Sequence, residues 1–506
     1  MKSKRLFLGV LIGVLLVYLG AAFGTALTQR PWCDEAWNSS PALMLITKGS
    51  FGTPVIDPGG IWFPLTGINQ YTYWIMPLHP FSQAPWYKIF GFGVLQMRAY
   101  SIMWGLVALA SWLFIMKVLS NGNRKLALLC TSLIALDYVF IQRSSEGRMD
   151  IMSAALGFAA IAAYLGLRKR NLLLAVVVSH TLVVASAFTH PNALMHFLGL
   201  GFLTIYYDRQ NLRCRNVFAA IPPYVIGATM WALYISRAPD LFRIQFSGNA
   251  TGRLQGLRHP LSYLKLEFSE RYLPILAGFA PELSSLHRFK ILILIAYVAG
   301  IVGALSVREI RQQKGYRSLL VLTAINFLVL TFFDGVKNPL YLIHIIPLFA
   351  ATLGVFVWFC WQKALAPKWL ITAALCGLVA LQLSGVIYVI KRDTYGKTYR
   401  PALAFLKQHS RPDASIMGTS ELGFELGFFG NLTDDLRLGY YTGRTPDFIV
   451  VEARYEEWFK DFSQNEPKVY EFIVNRLANE YQPVYVSTPY TVYARVQPPS
   501  SSSSGN

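Results

Sequence analysis

Long apolar runs are the feature that most constrains what this chain can fold into. Residues 6–26 read LFLGVLIGVLLVYLGAAFGTA and carry no charge. A run of about 18 or more apolar residues is long enough to cross a bilayer as a helix. Runs of this kind recur and predict a polytopic helical bundle with about eleven spans. The predicted spans lie near 6–26, 99–118, 126–142, 151–167, 171–188, 193–207, 217–235, 289–306, 318–333, 340–361 and 369–390.

Composition supports a membrane protein. Of the 506 residues, 54% are hydrophobic and 14% are charged, whereas soluble domains carry about 25% charged residues. The formal net charge of +19 invites a nucleic-acid partner. The basic residues nevertheless lie in short clusters between apolar runs, as in membrane proteins, and do not form one patch. The sequence therefore predicts no nucleic-acid partner.

Basic clusters also predict the orientation of the chain, because short basic loops stay on the cytoplasmic side of a membrane. With the N-terminus in the cytoplasm, every predicted inner loop is basic. The N-terminal segment and these loops read MKSKR, NGNRK, RKRN, YYDRQNLRCRN, VREIRQQKGYR and QKALAPK. The predicted location is thus a cell membrane, with loops 27–98 and 236–288 outside the cytoplasm. The first run is longer than a usual signal-peptide core and is predicted to be a retained span.

The C-terminal part has a different character. Charges return from about residue 391, and apolar runs become short. ASIMGTS, DFIVVEA and PVYVSTPYTVYARV are typical of strands, while PALAFLKQH and EPKVYEFIVNRLANEY are typical of helices. We therefore predict a membrane domain over 1–390, an α/β domain outside the cytoplasm over 391–497, and a disordered tail over 498–506.

Ionisable residues accumulate at the predicted outer end of the spans. Asp34 and Glu35 follow the first span in RPWCDEAW, and Glu146, Arg148 and Asp150 lie in RSSEGRMD between the third and fourth. Charges at membrane depth are costly and usually functional. The other residues predicted at this end are His79, Lys88, Arg98, Arg143, His190, Asn192, Asp334 and Lys337.

Each of these residues also has a simpler interpretation. Asp34 and Glu35 would suit a helix cap or a solvated loop. Glu146 and Asp150 lie four residues apart and would favour a helix N-terminus through the macrodipole. Lys337 would suit an ion pair with Asp334. The shared side of the membrane, more than any one residue, indicates a site.

The chemistry available at such a site is transfer from a lipid-linked donor. A carboxylate can deprotonate an acceptor hydroxyl as a general base, and Lys or Arg can hold a phosphate leaving group. A polyprenyl-phosphate sugar presents its scissile bond at this depth. No glycine-rich nucleotide-binding loop of the form G-x-G-x-x-G follows a predicted strand.

Four segments carry a resemblance to a known superfamily. WCDEAW resembles the Asp-Glu motif of the GT-C glycosyltransferases, and the segment from YTYWIMPLHP to MRAYSIMWGL is similar to their first outer loop. SSEGRMDIMSAAL resembles their second motif, and KNPLYLIHIIPLFA a late span. Protein O-mannosyltransferases and the lipid A aminoarabinose transferase belong to this group. The second motif is more similar to the aminoarabinose and bacterial lipopolysaccharide sugar transferases.

The resemblance implies a role for each matching residue. Asp34 would be the catalytic base, and Glu35 would support it or orient the acceptor. Asp150 would match the second acidic position of the catalytic site, with Arg148 as its basic neighbour. The remaining candidates for the donor phosphate or substrate are Lys88, Arg98, Glu146, His79, Lys337 and Tyr341. Some relatives use a divalent metal and others do not. Asp34, Asp150 and Glu146 would suit a hard cation, although no spacing in the chain indicates such a site.

The resulting prediction is an integral-membrane glycosyltransferase. It would move a monosaccharide from a polyprenyl phosphate to a lipid, glycan or protein acceptor outside the cytoplasm, with inversion if Asp34 acts as a direct base. One alternative is a transporter or lipid-linked-sugar flippase, although such proteins place their charges near the midplane of repeated halves. The other alternative is a non-catalytic assembly protein of the cell envelope.

Overall fold

A computed structural model describes residues 2–56, 65–251, 253, 259–279 and 285–496. The predicted tail at 498–506 lies outside these residues, as do short parts of both long predicted outer loops. The described chain is mainly helical, with one small sheet near its C-terminus.

Each predicted span corresponds to helical structure, and the polytopic helical bundle is confirmed. The helices that match the predicted spans are Lys2–Thr28, Val94–Leu119, Arg124–Ala135 with Tyr138–Ser144, Asp150–Leu167, Leu172–Ala187, Leu194–Asp208, Cys214–Ile235, Ile291–Ser306, Lys314–Phe333, Ile346–Lys363 and Lys368–Arg392. Within the described ranges, eight helical segments are long and apolar enough to cross a membrane unaided. Leu172–Ala187 and Leu194–Asp208 have only 16 and 15 residues.

One predicted span is broken. The helices Arg124–Ala135 and Tyr138–Ser144 meet at an angle of 64° and together are long enough to cross a membrane. Asp137 lies at the break, where its carboxylate caps the second helix by accepting the backbone N–H of Phe140 at 2.9 Å. It also accepts a hydrogen bond from Gln382 at 2.7 Å. A buried polar side chain with these partners stabilises the bend.

The centre of the bundle is formed by the helix Asp150–Leu167, which is buried along most of its length. The ring of Phe158 in this helix packs edge-on against Trp112, with 5.2 Å between ring centroids. Lys2–Thr28 lies at the periphery with an exposed apolar face, as expected of a helix that contacts lipid. The helix carrying Asp150 is therefore held by packing on several sides.

The two predicted outer loops contain helices of their own. Cys33–Lys48 and Leu78–Phe90 lie in the first loop, and Pro239–Thr251 and Pro260–Leu266 lie in the second. The two loops contact each other. The side-chain oxygen of Gln245, in the second loop, accepts a hydrogen bond from the backbone N–H of Tyr73, in the first, at 2.7 Å. These short helices place charged residues against one end of the bundle.

The C-terminal part contains a five-stranded sheet of order β2-β1-β3-β5-β4. Its strands are β1 (Ile416–Gly418), β2 (Leu432–Thr433), β3 (Phe448–Glu452), β4 (Tyr481–Ser487) and β5 (Tyr490–Arg495). β1 runs parallel to β2 and β3, and β5 runs antiparallel to β3 and β4. The predicted α/β character of this part is confirmed, with strands at the predicted segments.

The longer helices that accompany the sheet are Arg400–His409, Ala453–Asn465 and Pro467–Asn479, and short helical turns lie at Ser420–Leu422 and Gly423–Leu426. The last helix of the bundle ends at Arg392, where Asp393 adopts a left-handed backbone conformation with φ 44°. A π-helical turn at Tyr395–Tyr399 then leads into Arg400–His409. The predicted domain boundary at 390 lies just before the end of this bundle helix and stays a prediction.

Candidate active site

The acidic pair lies in the first turn of the helix Cys33–Lys48. Trp32 is the residue that precedes this helix, and its backbone N–H donates to the carboxylate of Glu35 at 3.3 Å. Carboxylates in a first turn are stabilised by the free backbone N–H groups and the helix dipole. Glu35 therefore caps the N-terminus of this helix, as the simpler interpretation of the pair predicted. Asp34 has a different environment.

The side chain of Glu35 is fully buried, and both of its carboxylate oxygens accept hydrogen bonds. Arg98 donates to it through two nitrogens, at 2.8 Å from Nε and 2.7 Å from Nη2. The backbone N–H of Gly147 donates to it at 2.8 Å. The guanidinium of Arg98 also donates to the carbonyls of Ala26 and Gln29, at 2.8 and 2.6 Å. These contacts favour a structural role for both side chains, and the assignment of Arg98 to the donor phosphate stays a prediction.

Asp34 keeps access to solvent, with 21% of its side chain exposed. It pairs with Arg148, whose guanidinium also donates to Asp150 at 2.8 Å. The same guanidinium lies 5.4 Å from the ring centre of Trp32, a cation–π distance. Arg148 thus joins the first and second predicted motifs, which are more than a hundred residues apart in the chain.

Gly147, in the loop that precedes Asp150, lies in close contact with Met97. A Cβ atom on Gly147 would lie 2.3 Å from the sulfur of Met97, so a larger residue there would require the Met97 side chain to move. Gly147 thus packs closely against the helix Val94–Leu119, which carries Met97. That position also directs its backbone N–H at Glu35.

Glu146 lies in the same loop but pairs with Arg143 at 2.7 Å. It is buried, and burial raises the pKa of its carboxyl group. Its predicted place in the substrate site stays a prediction. In the part of the chain that the structure describes, no three His, Cys, Asp or Glu side chains are arranged to hold a metal ion. Since Arg148 pairs with both Asp34 and Asp150, the proposed oxygen site for a cation does not fit this arrangement.

Histidines surround Asp150. The Nε2 atom of His190 lies 4.0 Å from Oδ1 of Asp150, and His79 and His344 both interact electrostatically with the same carboxylate. Burial lowers the pKa of His79 to about 3 and that of His190 to about 4. Both rings are therefore neutral at pH 7.

Tyr341 connects this region to a further cation. The ring of His190 contacts that of Tyr341, with 4.8 Å between centroids. Arg253 donates to the hydroxyl of Tyr341 at 2.7 Å and lies 3.5 Å from Asp334. The side chain of Arg253 is 29% exposed. Sequence reasoning missed Arg253, because it lies in a loop with no recognisable motif.

Behind Arg253 lies a buried ionic network. Arg271 pairs with Glu267 at 2.6 Å and also with Asp334. Lys337 lies 3.1 Å from Glu267, and both side chains are fully buried. Lys337 is thus neutralised by Glu267, where an ion pair with Asp334 was expected. Its predicted contact with a donor phosphate stays a prediction.

Lys88 lies apart from these groups, at the end of the helix Leu78–Phe90. It is exposed, as are its neighbours Ile89 and Phe90, at 74% and 54%. A basic residue beside exposed apolar side chains is typical of a membrane surface. The assignment of Lys88 to the donor phosphate stays a prediction.

The C-terminal domain reaches the residues on both sides of Asp34. Arg454 donates to the sulfur of Cys33 at 3.3 Å and lies 5.2 Å from the ring centre of Trp32. Arg30 pairs with Glu452. These contacts were not predicted, because nothing in the sequence relates residues 30–37 to 420–454.

A second contact follows Asp34. The indole N–H of Trp37 donates to Ser420 at 2.6 Å and to Asp434 at 3.2 Å. Since Asp434 also accepts from Tyr455 at 2.6 Å, the hydrogen bonds continue into the core of the C-terminal domain. The helix that carries Asp34 is thus fixed by this domain as well as by the bundle.

Solved structures share this fold, a helical bundle with a smaller C-terminal domain. No protein-family profile matches the sequence, and no curated protein matches it. The chain is similar in structure to ArnT from Cupriavidus metallidurans bound to undecaprenyl phosphate, with a TM-score of 0.62 and 14% identity. The similarity covers 96% of this chain and 98% of ArnT.

Archaeal oligosaccharyltransferases share the fold. The enzyme from Archaeoglobus fulgidus in complex with Zn and sulfate has a TM-score of 0.57 and 12% identity, over 95% of this chain and 73% of that one. AglB from the same organism, with an inhibitory peptide and a dolichol-phosphate, has a TM-score of 0.54 and 12% identity. That match covers 98% of this chain and 75% of AglB. These similarities establish the fold.

Proposed function

We propose that this protein is an integral-membrane glycosyltransferase that moves a monosaccharide from a polyprenyl phosphate to an acceptor hydroxyl. The observation that carries the proposal is the position of Asp34. It is a partly exposed carboxylate that pairs with Arg148, which in turn pairs with Asp150. His190 lies between Asp150 and Tyr341, and Tyr341 is bonded to the partly exposed Arg253. The fold shared with ArnT bound to undecaprenyl phosphate supports a lipid-linked donor.

Asp34 is the general base of the proposed reaction. It takes the proton of the acceptor hydroxyl while the acceptor oxygen forms a bond to the anomeric carbon of the sugar. The bond between that carbon and the phosphate oxygen breaks, and polyprenyl phosphate leaves with the electron pair. Attack from the side opposite the phosphate inverts the anomeric centre. Arg148 orients Asp34 through their ion pair.

Arg253 is the proposed ligand of the leaving phosphate. Among the residues that the structure describes, the network around it contains three cations, Arg253, Arg271 and Lys337, and two carboxylates, Glu267 and Asp334. The formal excess of one positive charge favours an anion, and Arg253 is the exposed member of the network. A guanidinium can hold a phosphate with two parallel hydrogen bonds. Tyr341, already bonded to Arg253, would add a hydroxyl.

The orientation of the protein follows from the basic inner loops. We infer that the N-terminus is cytoplasmic and that the C-terminal domain and Asp34 lie outside the cytoplasm of the host cell. Single cysteines introduced at Ser410 and at Arg170, in a background without exposed native cysteines, test this. Labelling of intact cells by a membrane-impermeant maleimide should modify Ser410→Cys and spare Arg170→Cys. The opposite pattern would reverse the orientation.

Asp34→Asn tests the catalytic assignment. Purified protein is given radiolabelled polyprenyl-phosphate monosaccharides and an envelope extract of the host as acceptor, and transfer of label from the lipid is measured. Loss of a general base lowers turnover by about 10²–10⁴-fold. The matched control is Asp413→Asn, a conservative change at an exposed side chain of the C-terminal domain. Full turnover by Asp34→Asn would show that Asp34 is not the base.

A further inference from the structure

Several buried polar atoms around Asp150 have no hydrogen-bond partner within the described structure. They are Oδ1 of Asp150, both ring nitrogens of His79, and Nε2 of His344. All three side chains are at most 3% exposed. An unpaired buried polar group costs about 1–3 kcal/mol, so native proteins supply partners to such groups.

The unpaired atoms belong to one region. The carboxylate of Asp150 lies near enough to His79 and His344 to interact electrostatically with both, and Nε2 of His190 lies 4.0 Å from Oδ1 of Asp150. That distance is too long for a direct hydrogen bond. One oxygen atom about 2.8 Å from each would complete the geometry of both. The arrangement is that of a site for a molecule with oxygen atoms.

The region also lies between the two proposed ends of the reaction. On one side, Arg148 joins Asp150 to Asp34, the proposed base. On the other side, His190 contacts Tyr341, which is bonded to Arg253, the proposed phosphate ligand. The sugar of a polyprenyl-phosphate donor must lie between its phosphate and the acceptor. The unpaired groups are therefore located where that sugar belongs.

We propose that Asp150, His79, His190 and His344 form the subsite for the donor sugar, and that this subsite selects a neutral, hydroxyl-bearing sugar over a uronic acid. The inference rests on the proposed function and names the class of donor that the same site would take.

The hydrogen-bonding roles of these groups suit hydroxyls. Nδ1 of His190 accepts the backbone N–H of Asn192 at 3.1 Å, so the neutral ring carries its proton on Nε2, which faces Asp150. A sugar hydroxyl can accept from this N–H and donate to the free oxygen of Asp150. Nδ1 of His344 lies 3.3 Å from His196, which leaves Nε2 for the sugar.

A carboxylate on the sugar would meet an unfavourable environment. It would approach Asp150, a like charge, and histidines that burial keeps neutral. The cation in direct contact with Asp150 is Arg148, which already pairs with two carboxylates. Burying a second anion there without a free cation is costly. The subsite should therefore discriminate against uronic acids.

Binding measurements test the subsite without knowledge of the acceptor. Protein in lipid nanodiscs is titrated with short-chain polyprenyl phosphate, alone or linked to glucose, galactose, mannose, arabinose or glucuronic acid. The quantity of interest is the ratio of the Kd without sugar to the Kd with sugar, which we call the sugar gain. Two or more new hydrogen bonds give a gain of about tenfold for at least one neutral sugar. Glucuronic acid should give no gain.

Variants assign the gain to the named residues. His79→Ala and His344→Ala should each lower it to about a third or less and leave the Kd for sugarless polyprenyl phosphate unchanged. His180→Ala is the matched control, since His180 pairs with Tyr224 at 2.8 Å and has no part in the proposed site. If an alanine variant misfolds, seen as loss of sugarless binding, His79→Gln and His344→Gln replace it.

The outcomes separate this inference from the proposed function. If the wild-type protein binds no polyprenyl phosphate, with or without sugar, the proposed function fails. If it binds the sugarless lipid but shows no gain with a neutral sugar, the subsite alone is wrong, and ordered water pairs the buried groups. An equal gain with glucuronic acid, or a gain untouched by either histidine variant, would also overturn the subsite.

Discussion

Two charged regions of this protein differ in whether their buried groups have an oppositely charged partner. In the first, Glu267, Arg271, Asp334 and Lys337 are buried, and each finds at least one opposite charge within 3.1 Å, although one atom each of Glu267, Arg271 and Asp334 has no hydrogen-bond partner. In the second, around Asp150, an oxygen and several histidine nitrogens are equally buried but have no partner. The two regions lie side by side and are connected through Arg253 and Tyr341.

This difference suits a structural role for the first region and a ligand-binding role for the second. We call the first network saturated because every buried charge in it contacts an opposite charge. Removing one member of such a network leaves an uncompensated charge inside the protein. An unsaturated polar region has lost its hydration without gaining protein partners, and this deficit can be recovered by a ligand. Partly exposed residues at the edges, Asp34 and Arg253, give a ligand access to both regions.

The same contrast exists within one helical turn. Glu35 is buried against Arg98 and Gly147, whereas the adjacent Asp34 has one cation and a share of solvent. Neighbouring carboxylates thus have a structural and a proposed catalytic role. The difference arises from residues 63 and 112 positions away from Glu35.

Breaking the saturated network should have the largest effect on stability. Arg271→Ala leaves Glu267 and Asp334 buried without their main partner, and removal of one member of a buried ion pair costs about 3–5 kcal/mol. We expect a strong loss of folded protein and a lower Tm, measured by size-exclusion chromatography and thermal unfolding in detergent. Arg308→Ala, at an exposed arginine, is the control. An unchanged Tm for Arg271→Ala would show that the network is not structural.

Arg253→Ala should weaken the binding of polyprenyl phosphate but change stability little, and it therefore distinguishes the roles of the two regions. Arg253 is partly exposed and lies at the edge of the saturated network, so its loss should change the Tm little. A charge-assisted hydrogen bond contributes about 1.5–3 kcal/mol, which corresponds to about a 10–150-fold weaker Kd for polyprenyl phosphate. Arg253→Lys should recover part of the affinity. If Arg253→Ala lowers stability as much as Arg271→Ala does and leaves lipid binding intact, Arg253 belongs to the structural network alone.

A third region, where the C-terminal domain meets the bundle, should respond to pH. Burial, and then the nearby charge of Glu452, raise the pKa of Glu421 to about 8. A carboxyl group with a raised pKa stabilises the folded state fully below its ordinary pKa of about 4.5, and this contribution is lost as pH rises to about 8. The other ionisable groups that interact with Glu421 are Arg30, Cys33, Tyr399, Arg454, Tyr455 and Tyr490.

We therefore expect the stability of the wild-type protein to fall by up to about 1.4 kcal/mol per pH unit between pH 5 and 8 from this group. Glu421→Gln keeps the uncharged form at every pH and should remove that slope. The measurement is Tm against pH for both proteins, with Glu425→Gln as control, since Glu425 forms an exposed ion pair with Lys407. Identical slopes for Glu421→Gln and the wild type would show that Glu421 does not titrate in this range.

Local features of this molecule could be predicted from the sequence, and nonlocal ones could not. Each apolar run specifies its own helix, because hydrophobic length is a property of consecutive residues. β1, β3, β4 and β5 were predictable from segments rich in Val, Ile, Tyr and Thr, which is also a local property, whereas the short strand β2 was not predicted. Which charges meet depends on packing between distant segments, so the partners of Glu35 and Lys337 and the place of Arg253 required the structure.

The motifs that resemble those of GT-C enzymes predicted which residues meet at the candidate site but not how they pair there. Asp34, Arg148 and Asp150 were predicted and are brought together. The resemblance gave no sign that Arg148 would lie between both carboxylates, which removes the arrangement expected for a cation site. It also gave no sign of Arg454 or Asp434, because the C-terminal domain contacts residues 30–37 only in the folded protein.

The smallest predicted effect concerns this contact. Trp37→Phe keeps most of the apolar side chain but removes the N–H that donates to Ser420 and Asp434. Because Asp434 keeps its bonds to Tyr455 and to the backbone N–H of Ser420, the loss should be about 0.5–1.5 kcal/mol. If this helix positions Asp34, kcat should fall by a few fold while the Kd for polyprenyl phosphate stays constant. Trp458→Phe, at a partly exposed tryptophan of the C-terminal domain, is the control. A change in lipid affinity without a change in kcat would mean that the C-terminal domain acts on the donor site and not on Asp34.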